Sequence, residues 1–347
     1  MRILTGTEVS SLLRDLTSQD ARRLRDSLSS GLAAYTKQEQ SSKSETKLIH
    51  QPPRPVIQTK DHDTTLIMPV SNTSATSVKV VTVPRNGDIQ GAITIYSPLG
   101  VLQGVLNAAE ITAFRTALAT MTILTRWKAP DALNVVVFGA GKQAEWHVRL
   151  TLLLMHGVKR VTVINRGRAR LETFDNTVFA TLREAYPEIE FEGIATADTP
   201  AQVGTRLVEA DIISCCTPST EPLFSARDLQ RGSSKSRFMS LIGSYKPPMQ
   251  EIDSATLKLA VSKILVDSKA ACLEEAGELV SAGLGPDDLI EIGELFLKDL
   301  NGDENVGSKD ALTIFKCVGF GLMDLVVSQA LLEMAEDAGT GTVLDGF

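Results

Sequence analysis

The residues with the plainest chemical purpose are Gly139, Ala140, Gly141, Lys142, Gln143 and Ala144, within NVVVFGAGKQAEWH. Gly139, Gly141 and Ala144 fit the spacing G-x-G-x-x-G/A, directly after an apolar run and directly before a helical one. The first glycine permits a tight turn, the second lets the backbone approach a pyrophosphate, and the small third residue keeps helix and strand close. The helix N-terminus then offers unpaired N–H groups and a partial positive charge to phosphates. In this strand–turn–helix context the motif predicts a dinucleotide site. The next apolar run ends VTVINRGRAR. A carboxylate there would bind the ribose 2′-OH of NAD; this chain has Asn165, then Arg166 and Arg168. A carboxylate would repel a 2′-phosphate, whereas a guanidinium binds it through charge-assisted hydrogen bonds. The pattern therefore favours NADPH over NADH.

Other chemistries find less support. His50, His62, His147 and His156 form neither HxH nor HExxH, so no metal site is expected. His147 reads as a packed or solvated helix residue. Cys215, Cys216, Cys272 and Cys317 form no CxxC pair and read as free thiols in a reducing compartment. The GxxxxGK[ST] and GxSxG motifs are absent. Glu274, Glu275 and Glu278 read as charged helix surface. Lys79 interrupts the strand-like run SVKVVTV, and inward lysines are uncommon without a partner.

The elements that must carry these residues fall into three regions. With 347 residues the chain is long enough for two domains. Residues 1–117 begin with a short strand and an amphipathic helix, followed by a polar stretch at 36–47 read as an exposed loop. Short β-branched runs then alternate with turns at Asn86-Gly87 and Pro98-Leu99-Gly100, the pattern of an antiparallel meander. Residues 118–309 alternate strands with helices. The strands are expected at Asn134–Phe138, Arg160–Ile164, Phe191–Ile194, Asp211–Cys215, Phe238–Ile242 and Lys263–Val266, with helices at Gln143–His156 and Arg166–Glu184. Near-continuous apolar strands separated by helices imply an α/β, doubly wound parallel sheet covered on both faces. Such a sheet binds ligands at the carboxyl ends of its strands. After the loop NGDENVGSKD, a helix is expected from about 310 to 335, with Leu312, Phe315, Val318, Leu322, Leu325 and Val326 on its apolar face.

A net charge of −7 without a basic block argues against nucleic acid as a partner. No stretch of about 18 uncharged apolar residues is present, so no membrane span is expected. The N-terminus lacks the apolar run of a signal peptide, and a cytoplasmic location is expected.

Over nearly its whole length the chain resembles the ornithine cyclodeaminase/mu-crystallin family. The resemblance rests on PPRPVI, LIMPV, SVKVVTV, ITAFRTALAT, VFGAGKQAEWH, CCTPSTEPLF, LIGSYKPPMQEID, ILVDSKAACLEEAGEL and LTIFKCVGFGLMDL, in that order. It implies a Rossmann domain at 118–309, inserted into an N-terminal α/β substrate-binding and dimerisation domain, residues 1–117, that is completed by 310–347. It also implies a homodimer formed through that first domain. The family's two substrate-site arginines and its lysine fall on Arg54, Arg115 and Lys79. Arginine's fork suits a planar carboxylate, and holding that carboxylate would orient a C=N carbon for hydride transfer. Lys79 would polarise the imine or relay its proton. Thr116 either supports the cofactor phosphates or plays a structural part at a helix start. Thr217, Pro218 and Ser219 follow a buried strand at its carboxyl end, where this fold faces the cofactor.

Ornithine cyclodeaminases and related alanine dehydrogenases carry a catalytic aspartate in the segment that here reads LIGSYKPPMQEID. Tyr245 stands at that position, and mu-crystallin-like ketimine reductases also lack the aspartate. Moving ammonia needs a carboxylate to shuttle protons, and a tyrosine with an ordinary pKa of about 10 is a poor base at neutral pH. A preformed cyclic imine needs only carboxylate binding, a proton and a hydride. Tyr245 either donates a hydrogen bond to substrate or lines the pocket. The expected activity is NADPH-dependent reduction of a small carboxylate-bearing cyclic imine, such as Δ1-pyrroline-2-carboxylate or Δ1-piperideine-2-carboxylate. The alternatives are an ornithine cyclodeaminase or amino-acid dehydrogenase, an NADPH-dependent small-ligand binding protein, and a specialised enzyme acting on a larger imine.

Overall fold

A computed structural model describes the chain except residues 42–46, 86, 231–234, 261–262, 299–305, 308–310 and 347. The chain divides into two compact units, Met1–Thr116 with Gly319–Phe347, and Ala117–Val318.

The first unit is built on a mixed sheet. Its strands are β1 (Arg2–Leu4), β2 (Val56–Gln58), β3 (Thr64–Ser71), β4 (Thr76–Val83), β5 (Gln90–Tyr96) and β6 (Leu102–Asn107). β2 to β6 run as an antiparallel meander. β1 lies parallel to β6, and the two-residue strand Thr342–Val343 closes that edge. Asn86, half of the expected hairpin signal, lies outside the described residues. Helix Gly321–Asp337 packs on β3, β4 and β5 and beside helix Ser18–Gln40. Alternation along β4 turns Ser77, Lys79 and Val81 to the buried face, opposite Val70, Met68 and Leu66 of β3. The other face carries Ile67, Val78, Val80, Ala92 and Val105, all at least partly exposed.

Of the polar stretch expected to form a loop at 36–47, residues 36–40 instead continue helix Ser18–Gln40 to its end, while 42–46 lie outside the described residues. The helix opens with a Thr17–Asp20 capping box, and Gln38 near its end donates from Nε2 to the Ile49 carbonyl at 2.7 Å. Lys, Gln and Glu at 37–40 are good helix formers, so polarity there marked a solvated helix face rather than a break.

The second unit contains β7 (Leu133–Phe138), β8 (Val158–Asn165), β9 (Glu190–Ala195), β10 (Ile212–Cys215), β11 (Arg237–Leu241), β12 (Ile264–Val266), β13 (Leu289–Glu291) and β14 (Leu312–Lys316). All eight are parallel, in the order β13-β12-β14-β11-β10-β7-β8-β9. The winding reverses between β7 and β10, and ligands bind at such a switch point.

β14 corrects the expected helix over 310–335. Leu312–Lys316 is a strand between β11 and β12, and the C-terminal helix begins only at Gly321. A parallel strand buried on both faces is apolar throughout, and periodicity does not separate it from a buried helix. The second unit accordingly runs on to Val318, beyond the boundary expected at 309/310, which itself falls on residues outside the described ones. Among the described residues no helix is long and apolar enough to cross a membrane.

Candidate active site

In the first unit the inward turn of β4 places Lys79 in a dry setting. Its side chain is 1% exposed, between Met68 of β3 and Ile93 of β5 in register. A lone ammonium there would carry a desolvation cost of several kcal/mol. The partner is Asp324, in the first turn of helix Gly321–Asp337, with Lys79 Nζ 2.6 Å from its Oδ2. The other oxygen, Oδ1, accepts from Arg115 Nε at 3.1 Å. One buried carboxylate thus bridges the expected lysine and one of the expected arginines.

Arg115 is held further by Met323 Sδ, 3.4 Å from its NH1. Gly319 makes room for the guanidinium. Its φ of +80° is the left-handed region that favours glycine, and a Cβ there would lie 2.0 Å from Arg115 NH1. The Gly319 carbonyl in turn accepts from Arg54 NH1 at 3.4 Å. Arg54, Lys79 and Arg115 are therefore brought together, and among these four side chains three cations meet one carboxylate. Burial pushes the Lys79 ammonium down to about 8; Asp324 holds it up, while Arg115 and Arg54 push it further down. Such a lysine is protonated at neutral pH yet gives up its proton readily. Three cationic side chains gathered at one place suit an anion, and guanidinium forks suit a carboxylate.

The second unit supplies a cavity of about 860 Å³ at the switch point. Gly139 turns the chain at the end of β7 with φ +100°, and a Cβ there would sit 2.7 Å from the Cys216 carbonyl oxygen. Helix Lys142–Leu154 starts at Gly141 with no side-chain cap, so its first-turn amides have no capping side chain to satisfy them. Nothing would lie within 4 Å of a Cβ on Gly141, which leaves open space beside the turn. Lys142, Gln143 and fully buried Ala144 form the first turn. Thr217, Pro218 and Ser219 line the same cavity, the segment packing against the Gly139 turn. The geometry fits a dinucleotide: a gap for the pyrophosphate at a helix N-terminus with a loop beside it.

At the end of β8, Asn165, Arg166 and Arg170 line the cavity. Asn165 Nδ2 donates to the Gly167 carbonyl at 2.8 Å. Arg168 instead pairs with Asp198 at 2.7 Å on the exposed surface and is not among the lining residues. Two residues on, and so on another side of the helix start, Arg170 lines the cavity in the place that the linear pattern assigned to Arg168.

The other expected residues scatter. Thr116 donates its hydroxyl to the Thr112 carbonyl at 2.8 Å, as helix threonines do, and belongs to the first unit. Tyr245 is half-buried after β11, with Lys246 Nζ 5.4 Å from its ring centroid, and is not a lining residue of the dinucleotide cavity. His147 is packed. Its Nδ1 faces the Gln143 carbonyl at 2.8 Å and so carries the proton, leaving Nε2 to accept from the Thr120 hydroxyl at 3.0 Å. Glu278 corrects the reading of its segment as charged surface: it is 0% exposed and paired with equally buried Lys316 at 3.0 Å. The four cysteines are free, and no cluster able to hold a metal ion occurs among the described residues. Asp324, Arg170, Glu251 and Lys316 escaped sequence reasoning.

The sequence pattern of the ornithine cyclodeaminase/mu-crystallin family matches residues 20–339. The chain belongs to that family. A Delta(1)-pyrroline-2-carboxylate reductase of Bacillus thuringiensis subsp. konkukian is 28% identical over 303 residues, spanning 82% of this chain and 86% of the relative. The ketimine reductase mu-crystallin of Rattus norvegicus is 28% identical over 250 residues, 70% of this chain and 69% of the relative. Among solved structures, the Thermococcus litoralis Delta(1)-pyrroline-2-carboxylate reductase in complex with NADH and L-proline aligns with a TM-score of 0.81. It is 19% identical, covering 99% of this chain and all of that one. That likeness establishes the α/β fold with its Rossmann-like parallel sheet.

Proposed function

We propose that this chain reduces a small cyclic imine bearing a carboxylate, such as Δ1-pyrroline-2-carboxylate or Δ1-piperideine-2-carboxylate, to the amino acid, with NADPH preferred over NADH. At the coarser level it is an oxidoreductase acting on C=N bonds, as the relatives it matches along most of their length are named. The observation that carries the finer reading is the buried Lys79–Asp324–Arg115 bridge with Arg54 beside it.

Bound at the glycine turn, the nicotinamide cofactor would supply the hydride to the imine carbon. The protein supplies the rest. Arg54 and Arg115 hold the substrate carboxylate, which fixes the ring's orientation. Lys79 gives its Nζ proton to the imine nitrogen as the C=N bond becomes CH–NH, and solvent restores it. Asp324 keeps Lys79 charged until that moment. The backbone at Gly139–Gly141 and the following helix N-terminus receive the pyrophosphate. Arg166 and Arg170, at a strand β8 that ends in Asn165 rather than a carboxylate, favour the 2′-phosphate. Tyr245 in place of the family aspartate supports reduction of a preformed imine over ammonia release.

The open sheet face of Ile67, Val78, Val80 and Ala92 supports a homodimer formed through the first unit, since a partly exposed apolar sheet face is a candidate interface. Free cysteines, three of them buried, suit a reducing, cytoplasmic setting. The test follows NADPH and NADH absorbance with purified protein and a panel of five- and six-membered cyclic imino acids. Faster oxidation of NADPH with one of them is expected, with the preference lost in Arg166→Ala/Arg170→Ala. Absence of turnover with every imine, despite dinucleotide binding, would sink the reading.

A further inference from the structure

Glu251 is fully buried in the second unit, yet no step above uses it. Its Oε1 accepts from Thr217 N at 2.7 Å and Thr217 Oγ1 at 3.0 Å. Its Oε2 accepts from Ile242 N at 3.1 Å and Gly243 N at 2.7 Å. The backbone adds two links between the same segments, Gln250 N to Ser219 O at 2.9 Å and Leu223 N to Glu251 O at 2.8 Å. Thr217, Ser219 and Leu223 all line the dinucleotide cavity. The two segments approach so closely that a Cβ on Gly243 would lie 1.8 Å from the Thr217 carbonyl oxygen. Beyond Gly243 the turn is anchored again: Lys316 Nζ donates to Ser244 O at 2.6 Å, and Glu278 accepts from the Ser244 hydroxyl.

We propose that Glu251 is the positioning residue of this cavity: one buried carboxylate with four accepted hydrogen bonds fixes the Thr217–Ser219 wall against the Ile242–Gly243 turn that leads to Tyr245. The proposal rests on reading the cavity as a dinucleotide site. A carboxylate is required by the donor count. Each oxygen meets two donors, and three of the four are backbone N–H groups that cannot reverse. Glutamine would turn an N–H₂ group towards one pair, leaving buried donors facing donors. The wall would then lose its fixed distance from the glycine turn, and the cavity its preformed width.

The test titrates purified wild type and Glu251→Gln with NADPH and NADH, followed by nicotinamide fluorescence. Dinucleotide affinity should fall by about tenfold, within the range expected for buried donors left unpaired. Turnover at saturating dinucleotide should stay within about twofold, a KM effect without a kcat effect. Thr217→Val removes only the hydroxyl donor and should weaken binding by about threefold. In a double-mutant cycle the two losses should not add, because they act on one contact. Glu251→Gln binding within about twofold of wild type, or fully additive losses, would overturn the proposal. Should Glu251→Gln fail to fold, unchanged affinity in Thr217→Val overturns it equally. Wild type that binds neither dinucleotide would instead remove the reading of the cavity itself, which separates the two failures.

Discussion

Replacing Asp324 with asparagine removes the one negative charge between Lys79 and Arg115 while keeping the side chain's shape. The two cations respond differently. Lys79, at about 8 in the native protein, has an escape: at pH 7 releasing its proton costs about 1.4 kcal/mol, one unit at 1.36 kcal/mol per unit. Arg115 has none, since a guanidinium does not deprotonate. Its buried charge loses its carboxylate, and breaking such a pair costs about 3–5 kcal/mol. The total loss of stability should therefore lie near the upper part of that range and be measurable in urea unfolding. The catalytic effect has a sign that packing damage alone would not reproduce. Asp324 raises the Lys79 pKa against burial, so its loss lets that pKa fall. The limb of kcat/KM that declines as pH rises through about 8 should move to lower pH, because kcat/KM reports the free enzyme. Each unit of displacement below the assay pH takes about tenfold from the rate. The assay is kcat/KM for the imine from pH 5.5 to 9 in both proteins; titration of the substrate is common to both and cancels. An unmoved limb near 8 in Asp324→Asn, with an undiminished rate at pH 7, would refute the assignment of both residues.

Lys79→Met should lower kcat by about hundredfold or more, the usual contribution of a general acid; Asp324 keeps Arg115 as a partner, so the loss of urea stability should be smaller than in Asp324→Asn. Retained turnover with only a raised KM would remove its proton role. Gly319→Ala forces a Cβ into Arg115 at φ +80° and should cost at least about 1–3 kcal/mol. It should also raise the imine KM while leaving dinucleotide affinity, measured by fluorescence, unchanged. Burial pushes His147 down to about 4 from 6.5, against the opposing Gln143 carbonyl. The unfolded chain therefore binds the extra proton first, and about 3 kcal/mol of stability should drain away as pH falls from 6.5 towards 4. His147→Gln should flatten that slope in urea midpoints at pH 7 and 5; an equal slope in both proteins would assign the loss elsewhere.

What could be read in advance followed from short-range pattern. The glycine turn was legible because its chemistry is local: Gly139, Gly141 and Ala144 act on the strand and helix that flank them in sequence. The parallel strands from β7 to β12 were legible because apolar runs of strand length alternate with helices. Arg170 was missed for a geometrical reason. Arg166, Arg168 and Arg170 differ only by their angle around a helix start, and a linear pattern does not say which of them the helix turns towards a cavity. β13 is three residues long, and β14 was absorbed into an apolar run with a helix-like spacing of Leu312, Phe315 and Val318.

The buried charges are a different case, because their partners lie far off in sequence. Residues 311–327 read ALTIFKCVGFGLMDLVV, an apolar run broken by only two charges, Lys316 and Asp324. Neither has its partner near it in sequence. The folded chain supplies them from elsewhere: Glu278 for Lys316, and both Lys79 and Arg115 for Asp324. An acidic residue in the first turn of a helix is ordinary, so Asp324 taken alone signals nothing. Its signal is the mismatch between a charge and the apolar run around it. The same mismatch marked Lys79 within SVKVVTV. Two such charges of opposite sign, each too costly to bury alone, are each other's natural partners when a strand and a helix pack face to face. A strand run interrupted by a cation and a helical run interrupted by an anion thus point to each other, as Lys79 and Asp324 do.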